Sequence, residues 1–194
     1  ESKRKENGGF DVVVGNPPYG SVIDNQGKIF VTANYRSVKT VLDIFALFME
    51  RASQILRSGA EAGFIVPSGW LTSPQHQPLR EYLLNLIDFE FIVHLPYDVF
   101  PDAYIDTIVY IGKKLAGSRN QPIMTKVKTK RFGIHDNAEQ MFSDGLDYKE
   151  VDTVGWIQDI FKRMLTETFG PRTHIQEKVA RLSIKGSVIL DVDR

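Results

Sequence analysis

The sequence has no cysteine, which excludes disulfide bonds and metal sites built on thiolates. Its 15 glycines and 9 prolines among 194 residues are too few for a collagen-like or low-complexity chain. No apolar run is long enough for a transmembrane helix, and no basic segment followed by an apolar stretch opens the sequence. The four histidines show no metal-ligand spacing. We therefore expect a globular chain without a metal, a membrane span or a signal peptide.

The formal net charge is zero, because 24 basic side chains balance 24 acidic ones, but the charge is distributed unevenly. Residues 107–135 contain no acidic side chain and seven basic ones: Lys113, Lys114, Arg119, Lys126, Lys128, Lys130 and Arg131. This basic stretch is either a solvated hairpin or a surface that faces phosphates, and its composition alone does not choose between them. Acidic residues follow between 136 and 152, and we expect them to face away from nucleic acid.

Short apolar and β-branched runs predict strands. The first predicted strand should be buried. The fourth follows the third without a helix between them, so we expect the third and fourth strands to be antiparallel. With helices between the first three strands, the order indicates a parallel α/β sheet. The predicted strands cover residues 10–14, 63–66, 91–95 and 105–111, with a further one over 123–127.

Helical spacing of apolar residues predicts a long helix after Thr40, with Thr40 as N-cap, Asp43 in the capping-box position and Gly59 at its end. A second helix is expected to begin by Pro78. Residues 20–39 are polar and are expected to form a loop. Towards the end of the chain, the pattern predicts helices over 156–165 and 175–182.

The chemistry-bearing motif is Asn16-Pro17-Pro18-Tyr19, which directly follows the first predicted strand. Two consecutive prolines fix their own φ and extend the residue before them, so they make a stiff turn. The turn lies at the carboxyl end of a strand, where open α/β sheets bind ligands. An amide oxygen and a backbone carbonyl there can accept both hydrogens of an exocyclic amine, and the tyrosine ring can stack on the ring that carries the amine.

The segment Phe-Asp-Val-Val-Val-Gly-Asn-Pro-Pro-Tyr resembles motif IV of the amino-group methyltransferases that use S-adenosylmethionine. Further segments resemble the adenine-N6 DNA methyltransferases of the gamma motif order, as found in restriction-modification and phage-defence systems. The resemblance spans roughly residues 8–115, and its later segments, in the family's order, are 43–51, 63–71, 79–83, 98–101 and 106–111. It implies the C-terminal half of a Rossmann-like sheet that ends in an antiparallel β-hairpin, followed by a mixed helical extension.

The resemblance assigns a role to each matching residue. The Asn16 side chain and the Pro17 carbonyl would accept the amino hydrogens of the target adenine, and Pro18 completes the stiff turn. Tyr19 would stack on one face of a base flipped out of double-stranded DNA, and Phe100 on the other. The basic residues Lys126, Lys128, Lys130 and Arg131 are the candidates for contacts with the DNA backbone. The inferred chemistry needs neither a metal nor a general base.

The sequence also departs from the family. Gamma-order enzymes carry a Phe-x-Gly-x-Gly cofactor turn before motif IV, but only fifteen residues precede Asn16 here and they hold no such turn. We therefore expect the main S-adenosylmethionine loop upstream, and we expect this chain alone to be inactive. Residues 1–115 are interpreted as the target-base half of the catalytic domain. Residues 116–194 are interpreted as a connector or insertion that leads towards a target-recognition domain, with fused or separate specificity and nuclease modules as partners.

Two other interpretations stay open at this point. One is a methyltransferase for protein glutamine or ribosomal RNA adenine, since those families share Asn-Pro-Pro-Tyr. The other is a non-catalytic DNA-binding or assembly domain, which would have a filled cleft around Asn16. The resemblance implies a cytoplasmic protein of a bacterium or archaeon.

Overall fold

A computed structural model describes residues 8–20, 23–38, 42–96, 100, 105–117, 126–132, 148–160 and 162–166. These residues form a six-stranded mixed sheet with four α-helices. In chain order the elements are β1 (Phe10–Gly15), α1 (Asn25–Asn34), α2 (Ile44–Ile55), β2 (Leu56–Pro67), α3 (Gln77–Leu84), β3 (Ile87–His94), β4 (Thr107–Lys114), β5 (Lys126–Arg131), β6 (Lys149–Asp152) and α4 (Val154–Gln158).

The strand order is β1-β2-β4-β3-β5-β6. Strand β2 is parallel to β1, β4 runs antiparallel to both β2 and β3, and β5 is parallel to β3. The expected antiparallel pairing of the third and fourth strands is therefore confirmed. Because β1, β2, β3 and β5 run in the same direction, the turns that follow them leave the sheet at one edge, the edge at which α/β sheets bind ligands.

One face of the sheet, the core face, is covered by α2 and α3. The side chains at alternate positions of β2 point to this face, and Phe64 and Val66 are buried there. They pack with Met49 of α2, Leu79 of α3 and Tyr110 of β4 in one hydrophobic cluster. Because alternate side chains of β2 are buried in this way, the segment forms a strand that lies under two amphipathic helices.

The opposite face, the open face, carries apolar side chains at the intervening positions. The β1–β2 and β2–β4 registers place Val12, Val14, Ile65 and Ile111 on it. Val12 is 56% exposed and Val14 is 75% exposed. The prediction of a buried first strand is therefore wrong for the described residues. No strand among them pairs with the outer edge of β1, and a strand of this composition is typical of a sheet interior.

Two boundaries before β2 differ from the expectation. The supposed loop over 20–39 contains α1, because the Asp24 side chain accepts the Gly27 N–H at 2.7 Å and caps a helix. Helix α2 ends at Ile55 rather than at Gly59, because Leu56 already pairs with Phe10 across the sheet. Gly59 instead has a φ of +77° within β2, where the pairing with β1 is irregular.

The described part of residues 116–194 packs on the same sheet. Strand β5 lies beside β3, later than the strand predicted over 123–127, and helix α4 covers only part of the predicted 156–165. The Met164 N–H bonds to the Leu71 carbonyl at 2.8 Å, and His94 Nε2 lies 2.7 Å from Thr166 Oγ1. His94 is thus a buried, hydrogen-bonded residue of β3. The helix predicted over 175–182 lies outside the described residues.

Candidate functional site

The Asn-Pro-Pro-Tyr turn follows β1 at the ligand-binding edge of the sheet. Asn16 is exposed, Pro17 is buried, Pro18 is exposed and Tyr19 is half-buried. The Tyr19 hydroxyl donates to Asn16 Oδ1 at 3.0 Å, and the Ile65 carbonyl lies 3.3 Å from the same hydroxyl. Because the hydroxyl has one hydrogen, the shorter contact to Asn16 is its main bond and the Ile65 carbonyl shares the hydrogen at most in part, so the turn presents an amide to solvent with its tyrosine close to β2.

Close packing under the turn requires glycine at the end of β1. A Cβ at Gly15 would lie 2.7 Å from the ring of Phe64. Real Cβ atoms do not approach that closely, so any other residue would displace the turn or the buried ring. Gly15 is thus needed for the position of Asn16 directly after it.

Phe100, the second aromatic residue that the resemblance assigns to the base, lies beside Tyr19. Their ring centroids are 6.4 Å apart and the ring planes meet at 88°, an edge-to-face contact. The two rings could enclose a base face to face only if one of them turned about its long axis. The structure thus brings Asn16, Tyr19 and Phe100 together, with the two rings in contact with each other.

Burial raises the pKa of the Tyr19 hydroxyl above its ordinary value of 10.0. The phenol is therefore neutral throughout the physiological range and acts as a hydrogen-bond donor. This protonation state is the one required for the bond to Asn16 Oδ1.

A histidine–aspartate pair that sequence reasoning missed joins the two loops at this edge. His76 Nε2 lies 2.8 Å from Asp43 Oδ2, and both side chains are largely buried. Asp43 occupies the N-cap position of α2 without making a cap bond, so its predicted capping-box role is wrong, and Thr40 lies outside the described residues. The next residue, Ile44, donates its N–H to the Gly20 carbonyl at 3.4 Å, directly after Tyr19.

The loop after β2 is held by a buried arginine. Arg80 of α3 is fully buried and donates to the carbonyls of Trp70 and Ser73, both at 2.6 Å. Burial lowers the pKa of Arg80 to about 10, so the guanidinium keeps its charge at neutral pH. The arginine fixes the two short 3-10 turns, Ser68–Leu71 and Pro74–His76, that lead to His76.

The basic strand β5 lies away from the turn. Four strand spacings separate β1 from β5, which is about 19 Å. The register places Lys128 and Lys130 on the open face, where Lys128 Nζ lies 5.4 Å from the centre of the Phe91 ring. Lys126 and Arg131 are the first and last residues of the strand.

Acidic residues lie opposite these lysines. In the β5–β6 pairing, Glu150 is the direct partner of Lys128 and Asp152 that of Lys126. These carboxylates reduce the local positive charge of β5. Among the residues that the structure describes, no group of His, Asp and Glu side chains could hold a metal ion, and no helix could cross a membrane.

Curated proteins with a similar sequence align with about half of this chain. A protein of Methanocaldococcus jannaschii described as a type II restriction enzyme and methyltransferase is 35% identical over 106 residues, which are 55% of this chain and 9% of that protein. A type II methyltransferase of Thermus thermophilus, M.TthHB8I, is 28% identical over 114 residues, which are 54% of this chain and 26% of that protein. The chain thus spans only a small part of these relatives.

Solved structures share the fold at low sequence identity. A type I restriction-modification complex superimposes with a TM-score of 0.62 at 17% identity, over 94% of this chain and 44% of the other. The M protein of the type I restriction enzyme EcoKI gives a TM-score of 0.54 at 15% identity, over 96% of this chain and 52% of the other. The fold is accordingly Rossmann-like. The sequence model of one family matches residues 1–100, and the chain belongs to that family, the Eco57I restriction-modification methylases.

Proposed function

We propose that this chain forms the target-base half of a DNA adenine-N6 methyltransferase of a restriction-modification or phage-defence system. The observation that carries the proposal is the exposed Asn16 amide at the carboxyl end of β1, with its Oδ1 held by Tyr19 at 3.0 Å. A non-catalytic assembly domain would fill this cleft, but Asn16 is exposed.

The turn accepts the amino group of the base. Asn16 Oδ1 and the Pro17 carbonyl each take one hydrogen of the exocyclic amine, which draws the nitrogen towards tetrahedral geometry and frees its lone pair. Pro17 and Pro18 have no backbone N–H, so they present no main-chain donor that would compete for these acceptors. The acceptors are fixed before the base arrives, and this arrangement lowers the cost of reorganisation during the reaction.

Aromatic contacts hold the flipped base outside the DNA duplex. Flipping removes the stacking of the base within the duplex, and a new stacking surface has to compensate for this loss. Tyr19 and Phe100 lie next to the turn and supply such a surface, since each base–aromatic stack is worth about 1–3 kcal/mol.

In this proposal, Asn16, Pro17, Tyr19 and Phe100 form the side of a methyl-transfer site that receives the methyl group. S-adenosylmethionine, when bound, supplies the methyl group. We assign its main loop to a glycine-rich turn of the kind that gamma-order enzymes carry before motif IV, and no strand in the described part of the chain pairs with the outer edge of β1. We expect the chain alone to bind the cofactor weakly or not at all, and micromolar affinity in a calorimetric titration would contradict this.

Residues 1–115 are the proposed target-base half of the catalytic domain, and residues 116–194 are the proposed connector or insertion that leads towards a target-recognition domain. The proposed partner is double-stranded DNA, with specificity and nuclease modules fused or separate. Lys126, Lys128, Lys130 and Arg131 are the proposed contacts to its backbone, although Glu150 and Asp152 oppose two of them. Protein glutamine and ribosomal RNA adenine are the alternative substrates, since their amino groups would fit the same acceptors.

The test is Asn16→Ala in the full-length polypeptide. Methyl transfer to DNA should fall by at least about 100-fold, because a preorganised hydrogen-bond acceptor is lost. Duplex affinity should stay within about 2-fold, since a side chain that touches only the flipped base adds little to phosphate contacts. Asn34→Ala is the matched control, because it removes an exposed amide at the end of α1. Equal activity of the two variants would sink the assignment.

A further inference from the structure

The Tyr19 hydroxyl connects a rigid part of the sheet with an exposed one. It lies 3.3 Å from the carbonyl of Ile65 and 3.0 Å from Asn16 Oδ1. Ile65 belongs to β2, which is paired on both sides, whereas Asn16 lies in the exposed turn after β1. Among the described residues, the bond to Tyr19 is the only hydrogen bond of the Asn16 side chain.

The orientation of the Asn16 amide decides whether it can accept a hydrogen from an amine. Oδ1 accepts hydrogen bonds, whereas Nδ2 donates them and would oppose an amino group. An exposed amide side chain rotates easily unless another group holds it. Since an amide oxygen has two lone pairs, one can bind the hydroxyl while the other remains for the substrate.

We propose that the Tyr19 hydroxyl is a positioning group that fixes the acceptor end of the Asn16 amide towards the target amine. This inference rests on the proposed function and adds to the stacking role of the ring. The hydroxyl is the part of Tyr19 that reaches Asn16 Oδ1, so a phenylalanine would stack equally well but would leave the amide unheld.

The same hydroxyl serves as a pivot for the ring. The phenolic oxygen lies on the axis about which the ring turns, so rotation of the ring leaves the oxygen in place. Tyr19 can therefore leave its 88° edge-to-face contact with Phe100 and lie flat on a base without releasing Asn16. The raised pKa of Tyr19 agrees with this role, because the hydroxyl has to keep its proton to donate.

Tyr19→Phe in the full-length polypeptide tests the inference. We expect kcat for DNA methylation to fall about 10-fold, which corresponds to about 1.4 kcal/mol. The KM for duplex DNA and the 2-aminopurine fluorescence of the flipped target should change less than about 2-fold, because the stacking ring remains. Tyr82→Phe is the matched control, since the Tyr82 hydroxyl of α3 accepts a hydrogen bond from Ser53 in the last turn of α2, whereas the turn contacts the start of that helix.

Three results would overturn the inference. The first is a kcat for Tyr19→Phe equal to that of Tyr82→Phe while Asn16→Ala is inactive, which leaves the proposed function intact. The second is a loss confined to KM or to the fluorescence signal, which would make the hydroxyl a binding group. The third is a wild-type protein that methylates no base or an active Asn16→Ala variant, which would reject the proposed function as well. A thermal melt of each variant shows that the fold is kept.

Discussion

His76 and Asp43 are joined by a hydrogen bond of 2.8 Å that ties the loop after β2 to the first turn of α2. The His76 ring also packs on Phe45, with ring centroids 5.5 Å apart. The first turn of α2 borders the Asn-Pro-Pro-Tyr turn, since the Ile44 N–H donates to the carbonyl of Gly20, the residue after Tyr19. The pair therefore contributes to the shape of the site without belonging to the proposed reacting groups.

Removing either partner of this bond should destabilise the fold. His76→Ala and Asp43→Ala should each lower the free energy of unfolding by about 1–3 kcal/mol, because each leaves a largely buried polar group unsatisfied. Urea titration measures the change, and the double variant should lose less than the sum of the two. The exposed Arg57–Asp11 pair is the control, since Asp11→Ala should cost less than about 1 kcal/mol. Additive losses for Asp43 and His76 would show that the bond contributes no coupling.

Phe100→Ala should weaken base flipping. The variant loses one stacking surface, so the flipped state should be destabilised by about 1–3 kcal/mol. Fluorescence of 2-aminopurine at the target position measures the flipped population. Phe48→Ala is the control, because Phe48 is a half-exposed phenylalanine of α2. An unchanged signal for Phe100→Ala would remove Phe100 from the pocket.

Charge reversal on β5 tests the proposed DNA contacts. If Lys126, Lys128 and Lys130 each neutralise a phosphate, changing all three to Glu should lower the salt slope of DNA binding by about 3. Lys113→Glu, on the same face at the end of β4, should leave the slope nearly unchanged. A slope equal to that of the wild type would make the basic strand a solvated hairpin, in which Lys126 and Lys128 lie opposite Asp152 and Glu150 in the strand register.

The burial of Tyr19 predicts a dependence of stability on alkaline pH. Its pKa is raised in the folded state, so the folded chain binds more protons than the unfolded chain above pH 10. The contribution of Tyr19 to the free energy of unfolding is therefore complete below pH 10, and it is lost as the pH rises through the pKa of the folded state. Urea midpoints measured from pH 9 to 11.5 should fall more steeply for the wild type than for Tyr19→Phe. Parallel curves would mean that Tyr19 titrates as an exposed phenol.

The sequence predicts local features better than tertiary ones. The prolines after β1 determine the turn by their own geometry, and the missing helix between β3 and β4 already indicates an antiparallel hairpin. The end of α2 was not predictable from apolar spacing, because the pairing of Leu56 with Phe10 determines it. Helix α1 was not predicted, because the bond that caps it, in which the Asp24 side chain accepts the Gly27 N–H, lies in a polar segment with a glycine.

The site shows the same division. Asn16 and Tyr19 are close in sequence, so their contact follows from the turn. The partner of Asp43 lies 33 residues away, and no periodicity in the sequence connects it with His76. The sequence also did not predict the exposure of Val12 and Val14. The composition of a strand indicates that it suits the interior of a sheet, but it does not indicate whether the described residues include a neighbouring strand.

The most direct test of the central claim is to identify the nucleoside that receives the methyl group. The full-length polypeptide is incubated with duplex DNA and labelled S-adenosylmethionine, and the digested nucleosides are separated by mass spectrometry. We expect N6-methyladenine with the wild type and none above background with Asn16→Ala. Label found only on protein glutamine, on ribosomal RNA or on another DNA base, or N6-methyladenine formed equally well by Asn16→Ala, would contradict the account.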